Sequence, residues 1–177
     1  MTYRPKPKNP AAAFLSGASA VFAVASFYSS SRVEMYNGFY QLAAVIFAII
    51  ALQVFLKYVQ SDYIYEAGEH DLKIYKVTGN KSVCVCSLSY EESISCAVKS
   101  DYYKQHKNKY PKNKISLNYC KSIFPSDYSV YFFNFNSKTA VLKFEPDEVF
   151  SKYLNEKITH VISEKEKEEN GNESESK

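Results

Sequence analysis

Glycine is scarce, five residues in a chain of 177. So few leave no material for a loop that cradles a phosphate with backbone amides. The signatures of nucleophilic and metal catalysis are missing as well: the chain has no G-x-S-x-G elbow, no S-x-x-K pair and no H-E-x-x-H. His70, His106 and His160 stand far apart in the sequence. Two carboxylate clusters, Glu91 with Glu92 and Glu145 with Asp147 and Glu148, have no activated partner and read as solvated or helix-capping charges. No catalytic residue, cofactor site or metal site is expected, and the chain reads as a non-enzyme.

The absence that says most is of charge. Residues 10–31 and 35–56 each run without Asp, Glu, Lys, Arg or His. Each window holds about 22 residues, and a helix needs about 20 apolar residues to cross about 30 Å of hydrocarbon. Residues 39–56 are dense in Ile, Val, Leu and Phe, whereas residues 11–28 are richer in Ala and Ser. Spans at about 11–29 and 38–58 predict a transmembrane helical hairpin within residues 1–60. A signal peptide is the competing reading. Arg4, Lys6 and Lys8 would form its basic region, and Ala18 with Ala20, or Ala23 with Ala25, its cleavage pattern. The apolar run continues past either site and a second span follows at once, which favours the hairpin.

Basic residues flank the outer ends of the hairpin, with Arg4, Lys6 and Lys8 before it and Lys57 after it. The connector holds only Arg32, balanced by Glu34. The positive-inside rule then places both termini in the cytoplasm of a multi-pass cell-membrane protein. Tyr28, Tyr36, Tyr40 and Tyr58 fall near the expected interfaces, where a ring with a polar tip is favoured. Within the first span Ala12, Ser16 and Ala20, or Ala13 and Gly17, recur every fourth residue and would admit a close neighbouring backbone, first of all the second span.

Beyond residue 61 the period falls to two. Tyr63 and Tyr65, then Leu72 and Ile74, predict two strands around a turn at residues 68–71. Gly79, Asn80 and Lys81 mark the next turn, after which Val83 and Val85 alternate with Cys84 and Cys86 in a third strand. Residues 94–98 read as a short strand or a helical turn. Residues 115–119, 128–135 and 139–144 add three more strand candidates, the last two joined by a turn at 136–138. Pro146 suits a first helical turn, and Asp147 and Glu148 complement its dipole. Phe150, Tyr153, Leu154, Ile158, Val161 and Ile162 then form one apolar stripe. That helix should cover the open end of a strongly bent, mainly-β domain over residues 61–162. Residues 163–177 contain no apolar side chain and read as a disordered acidic tail.

This order, with residues 63–81 and 141–154 as they stand here, resembles the bacterial pleckstrin-homology-like domains of small two-span membrane proteins. The resemblance spans residues 61–162 and implies a partly open, barrel-like sheet of about seven strands capped by a C-terminal helix. It also implies binding of proteins or lipids rather than catalysis. It carries over no binding residue.

Cys84, Cys86, Cys96 and Cys120 all lie in this domain and should be reduced thiols if it is cytoplasmic. Cys84 and Cys86 would share a strand face with alpha carbons about 6 to 7 Å apart, and the spacing of the four matches no standard zinc pattern. Buried small hydrophobes is the favoured reading. One stretch suggests a partner. Lys99, Lys104, Lys107, Lys109, Lys112, Lys114 and Lys121, with Tyr102, Tyr103 and Tyr110 among them, would suit anionic lipid, each charge contributing about 1 kcal/mol near a membrane surface. A solvated loop is the plain alternative, and nucleic acid is disfavoured. The sequence thus reads first as a membrane-anchored interaction module whose sheet edge or basic loop engages a partner protein or the inner leaflet. A small membrane enzyme or metal-dependent thiol protein, and an exported protein with disulfides, are the alternatives.

Overall fold

The computed structural model describes residues 1–5, 10–32, 36–112 and 115–175. They divide into two compact units, one helical and one mainly of strands. Lys6, Lys8 and Glu34 of the charge argument lie outside the described residues.

The helical unit consists of α1 (Pro10–Ser30) and α2 (Asn37–Val54), the latter running on into a π turn at Phe55–Val59. At 1.5 Å per residue α1, and α2 together with its π turn, each exceed about 30 Å, and both are long and apolar enough to cross a membrane. The seam between them is built from small residues. Ala12, Ser16, Ser19 and Ser30 are buried on α1, and Ala44 and Ala51 on α2. The Ser16 hydroxyl donates to the Ala51 carbonyl at 3.1 Å, and Phe22 stacks on Phe47 at 5.6 Å. The expected seam through Ala12 and Ser16 therefore forms, but it continues through Ser19 rather than Ala20. Ala13 and Gly17 face outward. Away from the seam large apolar side chains are exposed, among them Phe14, Val21, Phe39, Leu42 and Ile49. At the exit of α2 the Gln60 amide donates to Phe55 O at 2.9 Å and the Ser61 hydroxyl to Leu56 O at 2.7 Å, satisfying carbonyls that the wide turn releases.

The β unit holds two four-stranded sheets. One runs β1 (Thr2–Tyr3), β2 (Ser61–Ala67), β3 (Asp71–Thr78) and β4 (Lys81–Ser89), in that order. The other has the order β5 (Val98–Lys99), β7 (Ser129–Phe135), β8 (Lys138–Phe144), β6 (Ile115–Asn118). The turns obey their chemistry. Gly79, at φ 59°, opens the two-residue turn between β3 and β4, and Asn136 and Ser137, at φ 48° and 59°, make the turn between β7 and β8. A two-residue hairpin loop requires such left-handed angles.

Among the described residues the strands form two four-stranded sheets and no closed barrel, where the sequence led to one partly open, barrel-like sheet of about seven strands. β6 pairs with β8 in parallel, Ile115 opposite Ala140 through Asn118 opposite Lys143. β6 sits on the far side of β8 from β7, so residues 119–128 must cross the end of β8 to reach β7 instead of turning back as a hairpin. A second difference is β1. Thr2 and Tyr3 pair with Glu66 and Tyr65, so Met1–Pro5 belongs to the β unit and not to the hairpin segment assigned from sequence. Its Tyr3 ring lies 5.9 Å from Phe150 and 6.3 Å from Tyr65.

One core fills the space between the sheets. Tyr65, Leu72, Ile74, Tyr131, Phe133, Leu142 and Phe144 are fully enclosed, and helix α4 (Glu148–Glu175) adds Phe150, Leu154 and Ile158. Its N-cap is Asp147, whose carboxylate accepts from the Phe150 amide at 2.7 Å. Pro146 therefore precedes the helix rather than opening its first turn. Asn155 clamps the passing chain from both sides, accepting from the Ala97 amide and donating to the Ala97 carbonyl, each at 2.9 Å. The tail expected to be disordered continues α4 as far as Glu175. Glu and Lys are good helix formers, and His160 pairs with Glu164 one turn on at 3.2 Å.

Candidate cationic surface

The basic stretch is folded. After β5, helix α3 (Ser100–Gln105) and a 3-10 turn at Lys107–Lys109 lie on the outer face of the second sheet. That face carries Val130, Phe132 and Val141, which alternate with the inward Tyr131, Phe133 and Leu142. The two inward-turned tyrosines of the flap cover it. Tyr110 stacks on Phe132 at 5.1 Å and 12°, Tyr103 lies 5.6 Å from Phe132, and the two tyrosines meet at 5.5 Å. Burial raises the Tyr110 phenol above its ordinary pKa. Tyr103 and Tyr110 are therefore packing residues, not the lipid-facing aromatics expected from sequence. Tyr103 lies on α3 and Tyr110 just beyond the 3-10 turn, so the change of direction between them brings both rings to Phe132. Tyr102 does point outward, stacked on His106 at 4.2 Å.

The seven lysines separate into distinct environments. Lys99 pairs with Glu148 at 3.1 Å and Lys104 with Asp101 at 3.3 Å, all four side chains well exposed. The Lys104 ammonium also lies 5.9 Å over the Tyr128 ring. Lys107, Lys109 and Lys112 are exposed and have no carboxylate partner among the described residues. Lys121 is only 7 % exposed, with its amide donating to Glu145 Oε2 at 2.7 Å, so it does not belong to the surface. Lys114 lies outside the described residues. What remains without a carboxylate is Lys107, Lys109 and Lys112, next in sequence to the Asp101-paired Lys104, on a flap whose underside is anchored by aromatic packing. Such a group attracts anions through field rather than through a fitted pocket.

The cysteines are not brought together. The β3–β4 register slips between Ile74 and Tyr75, which oppose Cys86 and Cys84 respectively. Consecutive residues of β3 point to opposite faces, so this bulge puts Cys84 and Cys86 on opposite faces as well. The shared face expected from strict alternation does not form. Burial, then the neighbouring Cys84, pushes the Cys86 thiol up to about 11. Cys120 is buried, and Cys96 contacts the Thr159 hydroxyl at 3.3 Å. Among the described residues no three His, Cys, Asp or Glu side chains are grouped to hold a metal ion.

A reactivity order follows. A maleimide applied to the native chain should modify exposed Cys84 first. At about pH 8 Cys86 has roughly one thiolate in a thousand, and Cys120 should stay unmodified until the domain unfolds. Mass-spectrometric mapping of a time course checks this, and equal rates at Cys84 and Cys120 would rule out the packing described.

The chain is thus two apolar helices with a two-sheet β unit closed by a C-terminal helix. No family model, curated protein or solved structure matches it.

Proposed function

We propose that the protein is a non-enzymatic, membrane-anchored interaction module, with its hairpin through the cell membrane and its β unit at the cytoplasmic leaflet, where the flap engages anionic lipid headgroups. The observation that carries this reading is the outward group Lys104, Lys107, Lys109 and Lys112, displayed on a flap fixed by Tyr103 and Tyr110 against Phe132. Topology supports it. Because β1 precedes α1 and pairs with β2, which follows α2, both ends of the hairpin start from one sheet and hence from one side of a bilayer. The same pairing favours retention of the first span, since cleavage after α1 would remove a strand. The pleckstrin-homology-like reading draws support from the β2–β3–β4 meander and from the β7–β8 hairpin leading into the capping helix; the parallel β6 departs from it.

The full chain in vesicles tests the lipid contact. Incorporated into bilayers of rising anionic content, its flap should become protected from trypsin at Lys107, Lys109 and Lys112. Protection should fade with salt as the Debye length falls from about 10 Å at 0.1 M to about 3 Å at 1 M. Replacing the four lysines with Gln should abolish the response of the flap, read by hydrogen exchange, without unfolding the domain. Equal behaviour in neutral and anionic bilayers would remove the lipid reading. A protein partner is the second reading, favoured by β4, an edge strand whose Val83 and Val85 are exposed.

A further inference from the structure

The β3–β4 hairpin runs on past the core it starts from. Leu72, Ile74 and Leu88 are buried at its base, yet no residue from 76 to 85 is buried. The change falls at the bulge, where Ile74 faces Cys86 and Tyr75 faces Cys84, leaving Val85 as the extra residue. A bulge bends its strand and sharpens the twist, which turns the arm beyond it away from the core. The Tyr119 hydroxyl donates to Val85 O at 3.2 Å and holds the root of the arm. Val83 is 60 % exposed, and residues 72–90 include Lys73, Lys76 and Lys81 but no Asp or Glu. Lys73 is paired with Asp71 at 3.0 Å, whereas Lys76 and Lys81 have no carboxylate partner among the described residues. Chain connectivity fixes which end of the sheet the arm occupies. β2 begins at Ser61, just after the π turn that ends at Val59. β2 and β3 are neighbours joined by a tight turn, with the Gly68 amide donating to Asp71 O at 2.8 Å, so they run antiparallel. The end of β3 at Thr78 therefore returns beside the start of β2. With strands about 4.8 Å apart, the start of β4 at Lys81 lies about 10 Å from Ser61.

We propose that this arm is a membrane contact separate from the flap, in which Lys76 and Lys81 meet anionic lipid phosphates and Val83 enters the boundary between headgroups and acyl chains. Scattered exposed valines are ordinary on a protein surface. This arm differs in three respects: it stands free of the core, its charge is of one sign, and its tip shares an end of the sheet with the point where the chain leaves α2. Lysine stems lie along apolar surface while their ammonium groups reach outward, so the two lysines and the valine can share one surface. The outer edge of β4 is unpaired. Its backbone groups need water, which keeps the arm in the headgroup layer and leaves only the Val83 side chain to reach the acyl boundary. The hairpin pairing and the Tyr119 bond at its root lower the ordering cost of that contact.

This contact rests on α1 and α2 lying in the bilayer, and full-length variants separate the two claims. The chain has no tryptophan, so a single introduced indole reports one position. Three variants in anionic vesicles containing lipids brominated near the top of the acyl chain suffice: Val83→Trp on the arm, His70→Trp at the opposite end of the same sheet, and Phe22→Trp on α1. Val83 pairs with Lys76, which sets it roughly 20 Å along β3 from His70. All three positions are exposed and accept a larger ring. Val83→Trp should emit at shorter wavelength and be quenched severalfold more than His70→Trp. Adding Lys76→Gln and Lys81→Gln to Val83→Trp, with every flap lysine intact, should lower its quenching to near that of His70→Trp. Quenching that survives the loss of both lysines overturns the phosphate contact. Quenching of Phe22→Trp with Val83→Trp no better quenched than His70→Trp overturns the arm contact and leaves the hairpin standing. Short-wavelength emission from Val83→Trp without quenching means that the arm packs on a second copy of the chain, which overturns the lipid contact as well. An unquenched Phe22→Trp overturns both claims.

Discussion

Phe132→Ala should lower the stability of the β unit by about 3–5 kcal/mol, the range for removing a large aromatic from a packed site. The ring is fully buried on the outer face of the second sheet, and Tyr103 and Tyr110 both rest on it. Its loss leaves a cavity that two tyrosines tethered on a flap cannot both fill. The change should therefore be felt locally before it is felt globally. In the full chain, amide hydrogen exchange over residues 100–112 should accelerate more than exchange in β2 or β3, because that segment's only apolar attachment among the described residues is this cluster. Lipid protection of the flap should weaken too, since four lysines on a loosened segment lose the geometry that groups them. Unchanged exchange in residues 100–112 would show that the flap is held by something other than Phe132.

Leu154→Ala is the second large effect, about 2–5 kcal/mol, because Leu154 is fully enclosed between Phe150 and Ile158 along the stripe that α4 lays on the core. Deleting residues 164–177 should cost little by comparison, since that part of the helix has no apolar residue to bury. The two variants together divide α4 into a half that holds the fold and a half that does not. Thermal or denaturant unfolding of the full chain in mild detergent measures both. A melting transition unmoved by Leu154→Ala, or lowered as far by the deletion, would contradict that division.

These elements also show where a single sequence is informative. The two apolar helices were legible because the signal is an absence of charge over a length set by membrane thickness. The β7–β8 hairpin was legible because alternation and turn chemistry agree at Asn136 and Ser137, and the stripe of α4 because its spacing is helical. What escaped depends on contacts that no local window contains. β1 is two residues long and its partner stands some 60 positions away. The bulge that separates Cys84 from Cys86 inserts one residue into an otherwise regular alternation. The parallel placement of β6 is set by where residues 119–128 can cross.

The candidate surface was legible as composition and not as geometry. Lysine density marked the right segment, yet Lys121 is buried, and Tyr103 and Tyr110 turn inward because the outer face of β7 is itself apolar and has to be covered. Alternate burial on both faces of β7 was written in the unbroken run Val130, Tyr131, Phe132, Phe133. Such a run marks a strand enclosed on both sides.

Side-selective cysteine labelling of intact cells tests the arrangement of the chain across the membrane most directly. Asn37→Cys, at the exposed start of α2, should react with an impermeant maleimide added outside. Native Cys84 should react only after the membrane is permeabilised; it is exposed on the β unit, so its silence in intact cells reports location rather than burial. Labelling of Cys84 in intact cells, with Asn37→Cys protected until permeabilisation, would contradict a hairpin that opens from a cytoplasmic domain.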